Sequence, residues 1–291
     1  MAAQAPGQLT RVERDGSAVR RAAVLGSPVA HSLSPVLHRA AYAAMGLDAW
    51  SYDAVECGED GLAALLDGLG PEWAGLSLTM PLKRVALKLA DSVSDLAAGV
   101  GGANTLVLRD GRRHADNTDV YGIVTALTEA GLSAPGSALV LGGGATAASA
   151  LAALAELGLP EAVLAARVPE RAAEAAAVGE RFGLAVRVVP LDRLAEHLPA
   201  GLVVSTLPGR AADAYAEPVA ASGAALFDVV YAPWPTALAR AVARAGGTVA
   251  GGFGMLLHQA VRQVALMTGR ADVPVEAMRA AGEAELARRA G

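Results

Sequence analysis

The run Gly142-Gly143-Gly144-Ala145-Thr146-Ala147, set directly behind the apolar stretch Ala138-Leu139-Val140-Leu141, constrains this chain more than any other segment. An apolar strand, a glycine turn and an alanine-rich helix, in that order, open a dinucleotide-binding βαβ unit. In the pattern G-x-G-x-x-G/A the first glycine makes the turn and the second lets backbone approach a pyrophosphate. A small third residue lets helix and strand pack closely. Gly142, Gly144 and Ala147 occupy those places, with Gly143 and Ala145 between them. The helix that follows presents unpaired N–H groups and a positive dipole end to phosphate. A purely structural glycine turn is the alternative; the clear strand before it and the strands after it favour a nucleotide.

This fingerprint lies mid-chain, so a separate unit precedes it. The 291 residues suffice for two cores, and a composition 53% hydrophobic and 18% charged is that of a globular protein. A net charge of −5 offers no basic footprint for nucleic acid. Cys57 is the single cysteine, which excludes an internal disulfide and fits a reducing cytosol. It reads as a small, partly buried apolar residue. Residues Met1 to Ser17 are polar and lack an apolar h-region, so 1–18 read as a disordered tail and not as a signal peptide. The uncharged stretch Ala130 to Ala155 has the length of a membrane span. Its Pro135, glycines, serines and Thr146 fit a strand, turn and helix better, so no membrane association is expected.

Periodicity predicts strands at Ala22–Leu25, Trp50–Val55 and Gly75–Thr79. It predicts helices from Ser34-Pro35 to Met45, with Ser34 as N-cap, from Gly61 to Leu69, and from Pro81 onward. Thr105–Leu108 and the segment after Asp110-Gly111 read as a hairpin. Val120, Ile123, Val124 and Leu127 give a helix that starts at Asp119 and crosses between the two units. Strands follow at Ala138–Leu141, Ala162–Ala165, Ala185–Val189, Leu202–Val204, Ala225–Val229 and Thr248–Ala250. Residues beyond Gly251-Gly252 read as helices that return to the first unit. The expected fold is α/β with two domains. An N-terminal α/β substrate domain comprises 19–118 plus 252–291, and a Rossmann-like doubly wound domain comprises 119–251.

The end of the second strand of that domain selects the nucleotide. An acidic residue about 20 residues on binds the ribose 2′-hydroxyl of NAD. This chain has Ala165-Ala166-Arg167-Val168-Pro169-Glu170-Arg171 instead. Arg167 and Arg171 suit the dianionic 2′-phosphate of NADP through charge-assisted hydrogen bonds. Two solvated arginines at a helix start are the plainer alternative.

Four segments of the first unit are rich in short polar side chains: Gly26 to Pro35 with Ser32 and Ser34, Ser77 to Lys83, Gly102 to Thr105, and Asp116 to Asp119. Singly, each reads equally well as a cap, a turn or a solvated charge. In this order they resemble the shikimate dehydrogenases, whose patterns are Ser-x-Ser-Pro, Asn-Val-Thr-x-Pro-x-Lys, Gly-Ala-x-Asn-Thr and Asn-Thr-Asp. Later patterns match at Asp228-Val229-Val230-Tyr231-Ala232-Pro233 and at Gly252 to Ala260, which includes Met255, Leu256, Gln259 and Ala260. Departures are Ser77 in place of Asn, a shortened spacer before Asn104, Ala166 and Val168 beside Arg167, and a loose match around Thr206.

The resemblance implies reversible, NADPH-dependent reduction of 3-dehydroshikimate to shikimate. It implies Lys83 as general acid, oriented by Asp119, with Ser32 and Ser34 on the substrate carboxylate. Thr79, Asn104 and Gln259 would take substrate hydroxyls, and Tyr231 would lie near the carboxylate or the nicotinamide. Gly252 and Met255 would border the nicotinamide, and Gly142, Gly143, Gly144, Ala145, Arg167, Arg171 and Thr206 would contact the rest of the cofactor. Lys83 acting only through its charge stays open. His31 and His38 are rival acid–bases, read as structural, and His258 is read as packed or exposed. No His, Cys and carboxylate cluster has metal spacing, so no metal is expected. Rival readings are a quinate/shikimate dehydrogenase using NAD, a methylene-tetrahydrofolate dehydrogenase, which needs an aromatic platform, and a non-catalytic NADP sensor, which would not need Lys83 with Asp119. Monomer and homodimer are both open.

Overall fold

The computed structural model describes residues 19–198 and 201–290. The tail expected over 1–18 lies outside the described residues. The chain begins as a β-α-β-α-β unit: β1 (Arg20–Gly26), α1 (Ser34–Ala44), β2 (Trp50–Glu56), α2 (Glu59–Asp67) and β3 (Trp73–Leu78). β1 lies between β2 and β3, parallel to both. Its Ala22, Ala23, Val24 and Leu25 are all buried, as a continuous apolar run in a sheet covered on both faces requires.

α3 (Val85–Leu89), β4 (Ser92–Val93), α4 (Asp95–Val100), β5 (Thr105–Arg109) and β6 (Arg112–Asp116) complete a six-stranded sheet in the order β2-β1-β3-β5-β6-β4. β5 and β6 form the expected hairpin, turning at Asp110 and Gly111 with φ of 53° and 71°. Positive φ at both central residues is what a two-residue hairpin turn matched to strand twist demands.

α5 (Asp119–Glu129) leads to the second sheet and buries Val120, Ile123, Ala126 and Leu127 on one face. There follow β7 (Ala138–Leu141), α6 (Ala145–Glu156), β8 (Glu161–Ala166), α7 (Pro169–Arg181), β9 (Ala185–Pro190), β10 (Leu202–Ser205), α8 (Ala216–Ala221), β11 (Ala225–Asp228), α9 (Ala237–Arg244) and β12 (Val249–Gly251). All six strands are parallel, in the order β12-β11-β10-β7-β8-β9. The winding reverses between β7 and β10, and such a switch point leaves a crevice at the strand ends. The uncharged 130–155 stretch supplies β7 and most of α6, and no helix among the described residues is long and apolar enough to cross a membrane.

α10 (Gly252–Thr268) and α11 (Val275–Ala290) turn back to the first sheet. α10 packs along α5 and against β3 and β5, and α11 lies on α1.

Three local expectations are corrected. Pro81 does not open a helix: Leu82 N–H donates to Thr79 O, and the Lys83 carbonyl accepts from Ala103 N–H at 2.8 Å. That carbonyl is therefore spent outside any helix, and α3 starts only at Val85. Lys83 sits in the tight turn that precedes α3. Ser34 does not cap α1: the helix starts at Ser34, behind Leu33, and the Ser34 N–H donates to Ser32 Oγ at 3.2 Å. α2 begins at Glu59, two residues before the expected Gly61. β4 and α4 were not anticipated from the sequence.

Candidate active site

The C-terminal ends of β1 and β3, the start of α5 and the start of α10 converge on a cavity of about 320 Å³. Ser32 and Ser34 enter from the loop after β1, Thr79 and Lys83 from the turn after β3, and Asn104 from the lead-in to β5. Asp119, Tyr231, Gly252, Met255 and Gln259 line the remaining walls. The two catalytic and six substrate-binding candidates thus share one cavity.

Lys83 Nζ donates to Asp119 Oδ2 at 2.5 Å, with side chains only 18% and 7% exposed. Asp119 is the first residue of α5, where the dipole favours a carboxylate. Its N–H donates to Asn117 Oδ1 at 3.0 Å, and Asn117 Nδ2 donates to Gly102 O at 2.8 Å. The second oxygen, Oδ1, accepts from Asn104 Nδ2 at 2.8 Å. Asn104 Oδ1 accepts from the Thr118 N–H at 2.8 Å, which fixes the amide with its amino group toward Asp119. Gln259 Nε2 donates to Leu256 O at 2.8 Å, and its Oε1 stands 3.4 Å from Asn104 Nδ2, at the long end of a hydrogen bond.

Supports that the sequence did not reveal hold the loops. Glu56 accepts from Ser27 Oγ at 2.6 Å and from Val29 N–H at 3.2 Å, and Arg289 donates to His31 O at 2.7 Å. Together they pin the Ser32 loop. Buried Asp228 accepts from the Val230 N–H at 3.2 Å and from Thr236 Oγ at 2.8 Å, which fixes the loop that carries Tyr231. Burial pushes the Tyr231 hydroxyl pKa up, against the pull of Arg289. Gln263, one turn beyond Gln259, lines the same cavity. The i, i+4 spacing on one helix face was the signal that could have found it.

His31, His38 and His258 lie in or near the half of the molecule built on the first sheet. His31 lines the cavity and engages Arg289 through its backbone oxygen. His258 is packed, its Nε2 2.9 Å from Glu129 Oε2. His38 is fully buried and stacks on Tyr52 with ring centroids 3.9 Å apart. Desolvation lowers its pKa from 6.5 to about 3, against a hydrogen bond with Gln263 that raises it. The unfolded chain protonates this imidazole near pH 6.5, whereas the folded chain does so only near 3. Stability is therefore undiminished above about 6.5 and is lost as pH falls toward 3, at about 1 kcal/mol per pH unit. Urea unfolding of His38→Gln against the parent between neutrality and mild acid is expected to show a shallower loss of stability; equal slopes would disprove the assignment.

Beyond this cavity lies the glycine turn. Gly142, Gly143, Gly144, Arg167, Arg171 and Thr206 line a second cavity of about 630 Å³. Gly142 has φ +114°, and a Cβ there would meet Thr206 Oγ1 at 2.4 Å, so only glycine fits. A Cβ on Gly144 would point into open space beside the start of α6, as a phosphate-facing residue should. Ala145 lines a groove of about 450 Å³ that shares Lys83 with the first cavity and Gly143 and Gly144 with the second. Gly252 touches the other rim: a Cβ would stand 1.9 Å from Val229 O. Across the groove, Arg84 Nη2 of the turn after β3 meets Glu174 Oε2 of α7 at 2.5 Å. The glycine cradle, the exposed arginine pair and the groove fit NADP. A larger cleft of about 1100 Å³ between the Trp234 loop and α11 shares only Tyr231 with the Lys83 cavity. Lys83, Asp119 and the serine, threonine and amide candidates lie outside it.

Residues 24–106 match the family model described as the shikimate dehydrogenase substrate binding domain, and 252–281 match the shikimate 5'-dehydrogenase C-terminal domain. The "Shikimate dehydrogenase (NADP(+))" of Caulobacter vibrioides is 37% identical over 278 residues, spanning 89% of this chain and 95% of the relative. The chain belongs to the shikimate dehydrogenase family. The crystal structure of shikimate dehydrogenase from Mycobacterium tuberculosis superposes with a TM-score of 0.85 at 47% identity, covering 91% of this chain and 99% of that one. The Thermus thermophilus shikimate 5-dehydrogenase in complex with NADP(H) and shikimate gives a TM-score of 0.80 at 36% identity, covering 91% and 99%. Within the family match, the first segment spans Ser32 to Asn104 and the second spans Gly252 to Gln263.

Proposed function

We propose that this protein is an NADP-dependent oxidoreductase that reversibly reduces 3-dehydroshikimate to shikimate, with Lys83 and Asp119 as its catalytic pair. The observation that carries the roles is the 2.5 Å contact between Lys83 and Asp119 on the wall of a cavity that also gathers the side chains of Ser32, Ser34, Thr79, Asn104 and Gln259. A carboxylate-bearing polyol needs many short polar partners, and Ser32, Ser34, Thr79, Asn104 and Gln259 supply them. NADPH, when bound, supplies the hydride that reduces the ring carbonyl. Lys83 donates the proton that the carbonyl oxygen requires, and in reverse takes it from the shikimate hydroxyl. Asp119 holds the ammonium in place. Gly252 and Met255 border the nicotinamide side, and Arg167 and Arg171 hold the 2′-phosphate.

In this reading 19–118 plus 252–291 bind substrate and 119–251 bind the cofactor, in a cytoplasmic monomer or homodimer. The lone cysteine suits that reducing compartment. Near-ultraviolet absorbance of the reduced cofactor tests the assignment, with shikimate or quinate each paired with NADP or NAD. Shikimate with NADP is expected to give the highest kcat/KM. Faster turnover of quinate with NAD would overturn it in favour of the quinate type, and no turnover in any pairing would leave a nucleotide-binding sensor.

A further inference from the structure

The floor of the substrate cavity is tied to a hydrogen-bonded relay that runs from the interior to the reacting pair. Its node is Gln263, which is 1% exposed. Gln263 Nε2 donates to Asn104 O at 3.1 Å and to Thr105 Oγ1 at 3.1 Å. A backbone carbonyl can only accept, so the amide orientation is fixed and Oε1 faces the other way. There it accepts from Ser77 Oγ at 2.7 Å and faces His38 Nε2 at 3.3 Å.

The direction of every further bond follows. Ser77 gives its proton to Gln263, so it accepts from Tyr52 OH, 2.6 Å away. Neutral His38 has one N–H, and Nε2 must carry it because Gln263 Oε1 is an acceptor. Nδ1 is then free to accept from Tyr42 OH at 3.4 Å. Thr105, receiving from Gln263, donates onward to Asn104 Oδ1 at 2.9 Å. That leaves the Asn104 amino group for Asp119 Oδ1, and Asp119 Oδ2 for Lys83. Ser77, where the family pattern carries Asn, is the direct partner of Gln263 in this chain.

We propose that Gln263 is a positioning residue for the reduction: through Thr105 and Asn104 it aligns the Asp119 carboxylate that holds Lys83. Buried networks of this kind act through complete satisfaction, and one lost member frees its neighbours to reorient. The inference rests on the Lys83–Asp119 reading and deepens it.

Two variants test it. Gln263→Met keeps the shape of the side chain without its polar ends, and Thr105→Val deletes only the relaying hydroxyl. In each, kcat for 3-dehydroshikimate reduction is expected to fall about tenfold, the scale seen for outer partners that orient reacting groups. KM for NADPH stays at the parent value, KM for 3-dehydroshikimate changes little, and the pH profile of kcat shifts because the carboxylate beside Lys83 is no longer aligned. Parent-like kcat with an unmoved pH profile in folded Thr105→Val overturns the proposal. So does a loss carried wholly in KM, or a lower kcat with the parent pH profile, which is the signature of general loosening. Should Gln263→Met fail to fold by circular dichroism, Thr105→Val decides alone. Absence of shikimate oxidation by the parent protein is a distinct result, because it removes the activity itself.

Discussion

Lys83→Ala is expected to lower kcat by about 10²–10⁴-fold while KM for 3-dehydroshikimate changes little. The geometry makes the expectation sharp. Lys83 lies in a turn whose path is set by main-chain bonds, from Leu82 N–H to Thr79 O and from Ala103 N–H to Lys83 O. Removing the side chain therefore leaves the turn in place and takes away only the ammonium. The substrate keeps its hydroxyl and carboxylate partners, so ground-state binding survives. Asp119 keeps the bond its carboxylate accepts from Asn104 and the one its N–H donates to Asn117 Oδ1. Steady-state kinetics in both directions supply the check, and a variant that retains most of its turnover would exclude Lys83 from the chemistry. A general acid also predicts partial rescue by added small primary amines, which a purely electrostatic contribution from a fixed charge does not.

Arg167→Ala is expected to raise KM for NADP by about 10- to 100-fold, because one charge-assisted hydrogen bond contributes about 1.5–3 kcal/mol. KM for NAD should change little. Arg167 and Arg171 are exposed at the end of β8 and the start of α7, on the rim of the cavity that the glycine turn closes. Neither side chain has a hydrogen-bond or ion-pair partner among the described residues, so a phosphate would meet two uncommitted guanidinium groups. Arg171→Ala should add to the effect, and the double variant should lose most of its discrimination between the two cofactors. The gap should narrow at high salt, since the groups are solvent-facing. Equal changes for NADP and NAD would refute the assignment.

The second sheet was legible because its strands are short and mostly apolar, with the central β7 and β10 buried throughout and glycine or proline close to their ends. Ala138–Leu141 was read to the residue, and the other strands lie within a residue or two of their expected ends. The first sheet was harder. β4 has two residues, too few for any period, and α4 has six, although Ser94 accepts from the Ala97 N–H as a standard cap. The turn at Pro81 was misread as a helix because the bond that diverts the Lys83 carbonyl comes from Ala103, twenty positions away. Long-range polar partners were out of reach for the same reason. His38 and Gln263 are separated by 225 positions, and although its spacing from Gln259 marks Gln263 as sharing a helix face with it, nothing in the sequence pairs Gln263 with His38. The motif residues were legible singly, but only the fold brings Lys83 of one turn against Asp119 of another.

Lys83 lies in the half of the molecule built on β1 to β6, and Asp119, at the head of the α5 that joins the halves, is bonded to Lys83 and Asn104 of that half, whereas the glycine cradle hangs from β7. A hinge between the halves would therefore change the reach between reductant and carbonyl without disassembling the protonating apparatus. Loosening the strut between Arg84 and Glu174, which straddles the gap at 2.5 Å, ought to alter how fast the halves come together while leaving the acidity of the apparatus untouched.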